Sequence, residues 1–225
     1  MATSHVRGSA VPRLICLFGG TFDPVHYGHL RPLQELQQIV AADAIYIIPA
    51  AIPPHRPAPQ ATSAQRVKML ELALQEFPGF ELDTLELQRA GPSWTVDTLQ
   101  SFRQRFPDHS LCLVMGSDAF AGLPSWYHWQ ELLELAHIIV IQRAEMKNIK
   151  IPEWAVPHLV TDVALLRKQR ASSIFSVSVK EYDISATEIR QRLAAGREVK
   201  GLLPEQVITY IEGHNLYLAD ERDGE

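Results

Sequence analysis

A chain of 225 residues is long enough for one sizeable α/β core with an insertion, and its 46% apolar and 21% charged residues are those of an ordinary globular protein. Twenty-one basic against 26 acidic residues leave a formal net charge of −5, which excludes a general nucleic-acid binder and makes any phosphate site a local feature. Cys16 and Cys112 are too few for a disulfide framework or a cysteine metal site, and each sits in an apolar run, as reduced thiols of a cytoplasmic protein do.

Residues 1–11 read as a mobile lead outside the fold. Leu14-Ile15-Cys16-Leu17-Phe18 reads as a buried strand, and Leu30, Leu33, Leu36 and Ile39 recur at helical spacing over Leu30–Val40. Between them Gly19-Gly20-Thr21-Phe22-Asp23-Pro24-Val25-His26-Tyr27-Gly28-His29 fills a strand-to-helix junction. Free backbone N–H groups and the positive end of a helix dipole attract an anion there. His26 and His29 share a face of the first turn, and Gly28 between them removes a side chain. A phosphate can then lie against the backbone while two imidazoles donate to its oxygens.

Ala44–Ile48 is the next strand, followed by a long proline-rich loop, Pro49 to Thr62, that carries His55 and Arg56 and has the build of a lid. Helical spacing returns at Ala64–Phe77, a weaker strand stands at Phe80–Leu87, and Ser93-Trp94-Thr95 leads into a helix over Val96–Phe106. Gly116-Ser117-Asp118 follows the strong strand Leu111–Met115, so Asp118 either reaches a ribose hydroxyl or caps a helix. Trp126-Tyr127-His128-Trp129 offers a flat ring to a heterocycle or packs into the core. A helix at Trp129–Leu135 and a strand at Ile138–Ile141 come next. Arg143 to Arg170 is an insertion, covering the site or peripheral to it, before the strand Ile174–Val179.

Beyond that strand, Ile184-Ser185-Ala186-Thr187-Glu188-Ile189-Arg190 puts two hydroxyls and a guanidinium at a second helix start. Ser185 and Glu188 match a capping box, and Arg190 can grip a phosphate through two parallel bonds. Pro204 to Ile211 reads as a last helix and residues 219–225 as a tail, leaving 12–218 as one domain with 143–170 inserted. Alternating strands and helices imply a mostly parallel sheet covered on both faces. Two phosphate-seeking helix starts at one edge of it suit a triphosphate lying between them. Apolar runs are strand-sized and the N-terminus lacks a signal pattern, so neither membrane insertion nor export is expected. There is no Gly-x-Ser-x-Gly turn and no activated cysteine, which argues against covalent catalysis.

The glycine–histidine string together with Ile184-Ser185-Ala186-Thr187 and Arg190 resembles the nucleotidylyltransferase superfamily, relatives of the class I aminoacyl-tRNA synthetases. Pro53-Pro54-His55-Arg56, Pro92-Ser93-Trp94-Thr95-Val96-Asp97-Thr98, Met115-Gly116-Ser117-Asp118 and Pro124-Ser125-Trp126-Tyr127 are similar to its bacterial nicotinate-nucleotide adenylyltransferase branch. The resemblance implies a Rossmann-like, doubly wound α/β fold and transfer of AMP from ATP to nicotinate mononucleotide, with Mg²⁺ carried on the ATP phosphates and no resident metal. It implies that Gly19, Gly20, Thr21, Phe22, His26 and His29 hold ATP, with Gly116 and Asp118 near the ribose. Ile184, Ser185, Thr187 and Arg190 would grip the outer phosphates, and His55 and Arg56 would close over them. Thr95, Trp126 and Tyr127 would take the nicotinate, and His26, His29 and Arg190 would be catalytic. Trp94 and Ala186 replace the tyrosine and serine common in the branch. Rival readings are a sister enzyme using nicotinamide mononucleotide or phosphopantetheine, and an ATP-sensing module; both histidines and Arg190 argue against the latter.

Overall fold

The apolar runs read as strands are strands, and all of them join one sheet. A computed structural model describes residues 13–51, 58–89, 91–143 and 151–219. In chain order these form β1 (Leu14–Gly20), α1 (Tyr27–Val40), β2 (Ala44–Pro49), α2 (Ser63–Ala73), β3 (Phe80–Leu82), α3 (Thr95–Arg105) and β4 (Ser110–Gly116). There follow α4 (Ser117–Ala121), α5 (Leu132–Leu135), β5 (His137–Arg143), β6 (Leu159–Val160), β7 (Ile174–Val179), α6 (Ala186–Ala194) and α7 (Glu205–Gly213). The strands stand in the order β3-β2-β1-β4-β5-β7-β6, and every pairing is parallel.

Parallel strands need both faces buried, and the period-2 alternation of side chains serves two cores. Cys16, Ile45, Ile47, Cys112 and Val114 face one layer with α1, α2, α6 and α7, whereas Ile15, Leu17, Tyr46, Leu113 and Met115 face the other with α3, α4 and α5. Cys16 and Cys112 sit opposite each other in register, both free and buried; burial, then the neighbouring Cys16, pushes the Cys112 thiol up. The chain runs outward from β1 to β3 and then returns to the other flank of β1 with β4. Strand order therefore reverses between β1 and β4, and a crevice opens at their carboxyl ends.

Several boundaries differ from expectation for local reasons. α1 begins at Tyr27 rather than Leu30, with His26 as its N-cap. β3 stops at Leu82 because the Asp83 carboxylate accepts the Leu85 N–H at 3.0 Å and starts a 3₁₀ turn, Leu85–Gln88. α2 starts from a complete capping box, Thr62 with Gln65, and ends at Ala73 in a further 3₁₀ turn. α7 uses Pro204 as its N-cap. In the described part of the insertion Ala155 and Leu166 are fully buried, and Arg167 donates to Asp43 at 3.0 Å. Asp43 in turn accepts the N–H of Leu14, the first residue of β1, at 2.7 Å. The stretch around Arg167 thus closes the amino edge of the sheet, opposite the crevice. Residues 144–150 of the insertion lie outside the described residues, as do His55 and Arg56.

Candidate active site

Each helix that follows a strand in a parallel sheet starts at the carboxyl edge, so α1, α3, α4 and α6 all begin over the crevice. Gly19 and Gly20 end β1 there. A Cβ on Gly20 would lie 2.8 Å from the ring of Phe22, so the glycine lets the loop fold down onto that ring. Phe22 itself is 1% exposed, left-handed at φ 52°, and edge-on to His29 at 5.2 Å. Its side chain is the floor of the loop, and what it presents to a ligand is main chain.

His26 holds extended backbone (φ −151°) while its carbonyl accepts the N–H of His29 at 2.9 Å and of Leu30 at 3.3 Å. The two imidazoles stack with centroids 3.7 Å apart. Burial lowers the His26 pKa to about 4, and its Nδ1 has no protein partner. At neutral pH His26 is therefore an uncharged donor or acceptor and not the cation that charge offset would ask for.

Gly28 does more than clear space for an anion. A Cβ at this position would lie 2.7 Å from the Ile184 carbonyl oxygen and 2.9 Å from His26 Nδ1. The start of α1 is thus pressed against the segment that leads into α6, and the two candidate phosphate sites are one continuous surface. α6 is capped by Ser185, whose Oγ accepts the Glu188 N–H at 3.1 Å. The Glu188 carboxylate pairs with Arg192 instead of returning to Ser185, so only half of the expected box forms. Arg190 donates through Nη1 to the Asp23 carbonyl at 2.7 Å and through Nη2 to Thr187 Oγ1 at 3.4 Å. Both terminal nitrogens of the guanidinium thus have a protein partner, and each keeps a second N–H that can turn to a phosphate oxygen.

Across the reversal point, Gly116 ends β4 with φ −76°, and a Cβ there meets nothing within 4 Å. Neither backbone nor packing calls for a glycine; a side chain would only project into the crevice. Gly116 is also the N-cap of α4, so Asp118 lies exposed in the first turn and does not cap. Thr95 is the first residue of α3, and the ring of its N-cap, Trp94, lies 5.0 Å from that of Tyr127. Tyr127 is 50% exposed, while Trp126 is half-buried against the α3–α5 core.

Sequence reasoning gave no role to three residues beneath the glycine–histidine loop. Asp23 is 5% exposed; its Oδ1 accepts from the Ala61 N–H at 3.0 Å and from the Tyr217 hydroxyl at 2.8 Å, and its Oδ2 from the Gln60 N–H at 2.8 Å. Arg66, 1% exposed, donates to the Thr21 carbonyl at 2.7 Å and to Ser63 Oγ at 3.2 Å. Arg66 lies on the inner face of α2, a place where helical spacing calls for an apolar residue. That mismatch is the one signal the sequence offers.

A reversal-point crevice with anion-seeking helix starts on one flank and a bare glycine edge on the other defines a nucleotide-binding α/β protein. The chain belongs to the cytidylyltransferase-like family, whose model matches residues 17–192, and within it to the nicotinate-nucleotide adenylyltransferases. The nicotinate-nucleotide adenylyltransferase of Escherichia coli strain K12 is 44% identical over 209 residues, covering 91% of this chain and 98% of its own length. A probable nicotinate-nucleotide adenylyltransferase of Escherichia coli O17:K52:H18 matches to the same extent. The fold is also that of the Plasmodium falciparum nicotinic acid mononucleotide adenylyltransferase complexed with NaAD, at TM-score 0.70 and 20% identity over 91% of this chain and 97% of that one. Among the described residues no helix is long and apolar enough to cross a membrane.

Proposed function

We propose that the chain transfers AMP from ATP to nicotinate mononucleotide, releasing pyrophosphate and forming the deamido form of NAD. The observation that carries the reading is the contact of the two helix starts at Gly28 and Ile184, beside the β1–β4 crevice, in a chain 44% identical to an enzyme of that name. ATP lies with its phosphates along Gly19–Thr21, the stacked His26 and His29, Ser185, Thr187 and Arg190, and with its nucleoside toward Gly116 and Asp118. Thr95, Trp126 and Tyr127 receive the nicotinate ring and its carboxylate. His55 and Arg56, outside the described residues, remain assigned to the outer phosphates on the strength of the sequence resemblance.

The acceptor phosphate has a second pKa near ~6, so at neutral pH it attacks as a dianion and needs no general base. One of its oxygens forms a bond to the α-phosphorus of ATP while the bond from that phosphorus to the bridging oxygen breaks, and the electron pair leaves with pyrophosphate. The protein's task is to bring two polyanions together and to stabilise charge on the leaving group. His26 serves that task as a hydrogen-bond donor, Arg190 as a cation and the helix starts through their N–H groups. The ATP enters as its magnesium complex, and the metal is part of the substrate. A cytoplasmic location, expected from the cysteine usage, belongs to the same proposal.

The test is pyrophosphate release by purified protein given magnesium ATP and, separately, nicotinate mononucleotide, nicotinamide mononucleotide or phosphopantetheine. Turnover with the first at least tenfold above the others supports the reading. Preference for another acceptor replaces it with the sister activity, and silence with all three leaves only nucleotide binding.

A further inference from the structure

Arg190 is held on the carbonyl of Asp23, whose own side chain is buried and hydrogen-bonded on both oxygens. Asp23 accepts hydrogen bonds from Gln60 and Ala61, where the proline-rich loop returns to the body of the fold, and from Tyr217, three residues past His214, the C-cap of α7. A carboxylate at 5% exposure is costly unless it is satisfied, and a hydrophobic residue of similar size would fill the space more cheaply. Tyr217 adds to that cost: it is itself 8% exposed and stands at φ 63°, in the left-handed region that non-glycine residues avoid. Burial and the neighbouring Asp23 push its phenol far above the usual range, so it remains a donor at every working pH. Two stretches of chain distant in sequence thus converge on one carboxylate, at the spot where the loop turns its carbonyl toward Arg190.

We propose that Asp23 and Tyr217 form a positioning pair for Arg190, setting the guanidinium toward the triphosphate and fixing the returning end of the proline-rich loop in the same act. The depression beside them is lined by Gln60, Thr187, Arg190 and Tyr217, so the loop end, the α6 start and the C-terminal segment share one wall. Removing the Tyr217 hydroxyl frees Asp23 Oδ1 from one of its two donors and lets the Asp23–Pro24 carbonyl, and with it Arg190, shift. The pair touches no substrate and acts through Arg190. The inference rests on the ATP-binding half of the proposed function and is independent of the acceptor.

The experiment is a double-mutant cycle on magnesium ATP binding by calorimetry, with wild type, Y217F, R190A and the double variant, each checked for an unchanged fold by thermal melting. Y217F is expected to weaken ATP binding about 10-fold, and to weaken it less than twofold further when Arg190 is already alanine. With nicotinate mononucleotide as acceptor, kcat falls in Y217F while the KM for that acceptor holds. Should Y217F not keep the fold, D23N carries the same cycle. Wild-type affinity in the single variant, or a full tenfold loss persisting in the R190A background, overturns the positioning role. Failure of the acceptor assay with intact ATP binding strikes the proposed function and leaves the cycle valid.

Discussion

Gly28 is the point where the geometry makes its sharpest demand. In G28A the new methyl would lie 2.7 Å from the Ile184 carbonyl oxygen, about 0.7 Å inside the 3.4 Å at which ordinary contact begins, and 2.9 Å from His26 Nδ1. The oxygen is backbone, so relief requires α1 and the approach to α6 to separate. Replacing glycine by alanine inside a helix would by itself gain up to about 1 kcal/mol, and overpacking a tight contact costs about 1–3 kcal/mol, so the net loss of stability is about 1 kcal/mol. The effect on chemistry is larger. A displacement approaching 1 Å at a reacting centre costs about 10²-fold, so kcat should fall by that order while the melting temperature drops by only a few degrees. Steady-state pyrophosphate release, run beside a thermal melt, measures both. Turnover within threefold of wild type in a folded G28A protein would show that the two helix starts need not touch.

Acid should destabilise the fold through His26. Its folded pKa of about 4 lies below the 6.5 of the free side chain, so the unfolded chain takes up a proton that the native state refuses. The full contribution is present above about pH 6.5 and is lost as pH falls toward 4; between pH 7 and pH 5 this is about 2 kcal/mol at most. Urea denaturation at the two pH values should show that difference in wild type and much less of it in H26N, with a residue left by His137, whose pKa burial also lowers. W126A should raise the KM for nicotinate mononucleotide at least tenfold while leaving the KM for ATP within twofold, because the proposed function puts the ring on the acceptor side of the crevice. D43N, at the amino edge, should cost no more than about 1 kcal/mol in denaturant titrations, since its pair with Arg167 is half-exposed, and should leave turnover unchanged.

Strand positions were legible because parallel strands buried on two faces are nearly continuous apolar runs, and each run at Leu14, Ala44, Leu111, Ile138 and Ile174 is one. Helix starts were harder. α1 opens with Tyr27-Gly28-His29 and carries Pro32, so intrinsic propensity places its start too late; contact with Ile184 supplies what propensity withholds. Thr62 and Gln65 spelled out a capping box that periodicity alone passes over. Of the candidate site, the junctions at Gly19–His29 and Ile184–Arg190 could be read because glycine, histidine and hydroxyl spacing is local. The charge state of His26 could not, since it depends on burial by distant elements. Nor could the Asp23–Tyr217 contact, which joins residues 194 apart in sequence.

The bare edge at Gly116 separates two materials. On the proposed function Gly19, Gly20 and Gly116 offer ATP a wall of main chain, which few substitutions can rewrite, whereas Thr95, Trp126 and Tyr127 offer the acceptor a wall of side chains. On that reading a point mutation can retune what accepts the adenylyl group without touching what donates it. Redesign toward a different phosphate acceptor should begin at those three positions and leave the glycine edge alone.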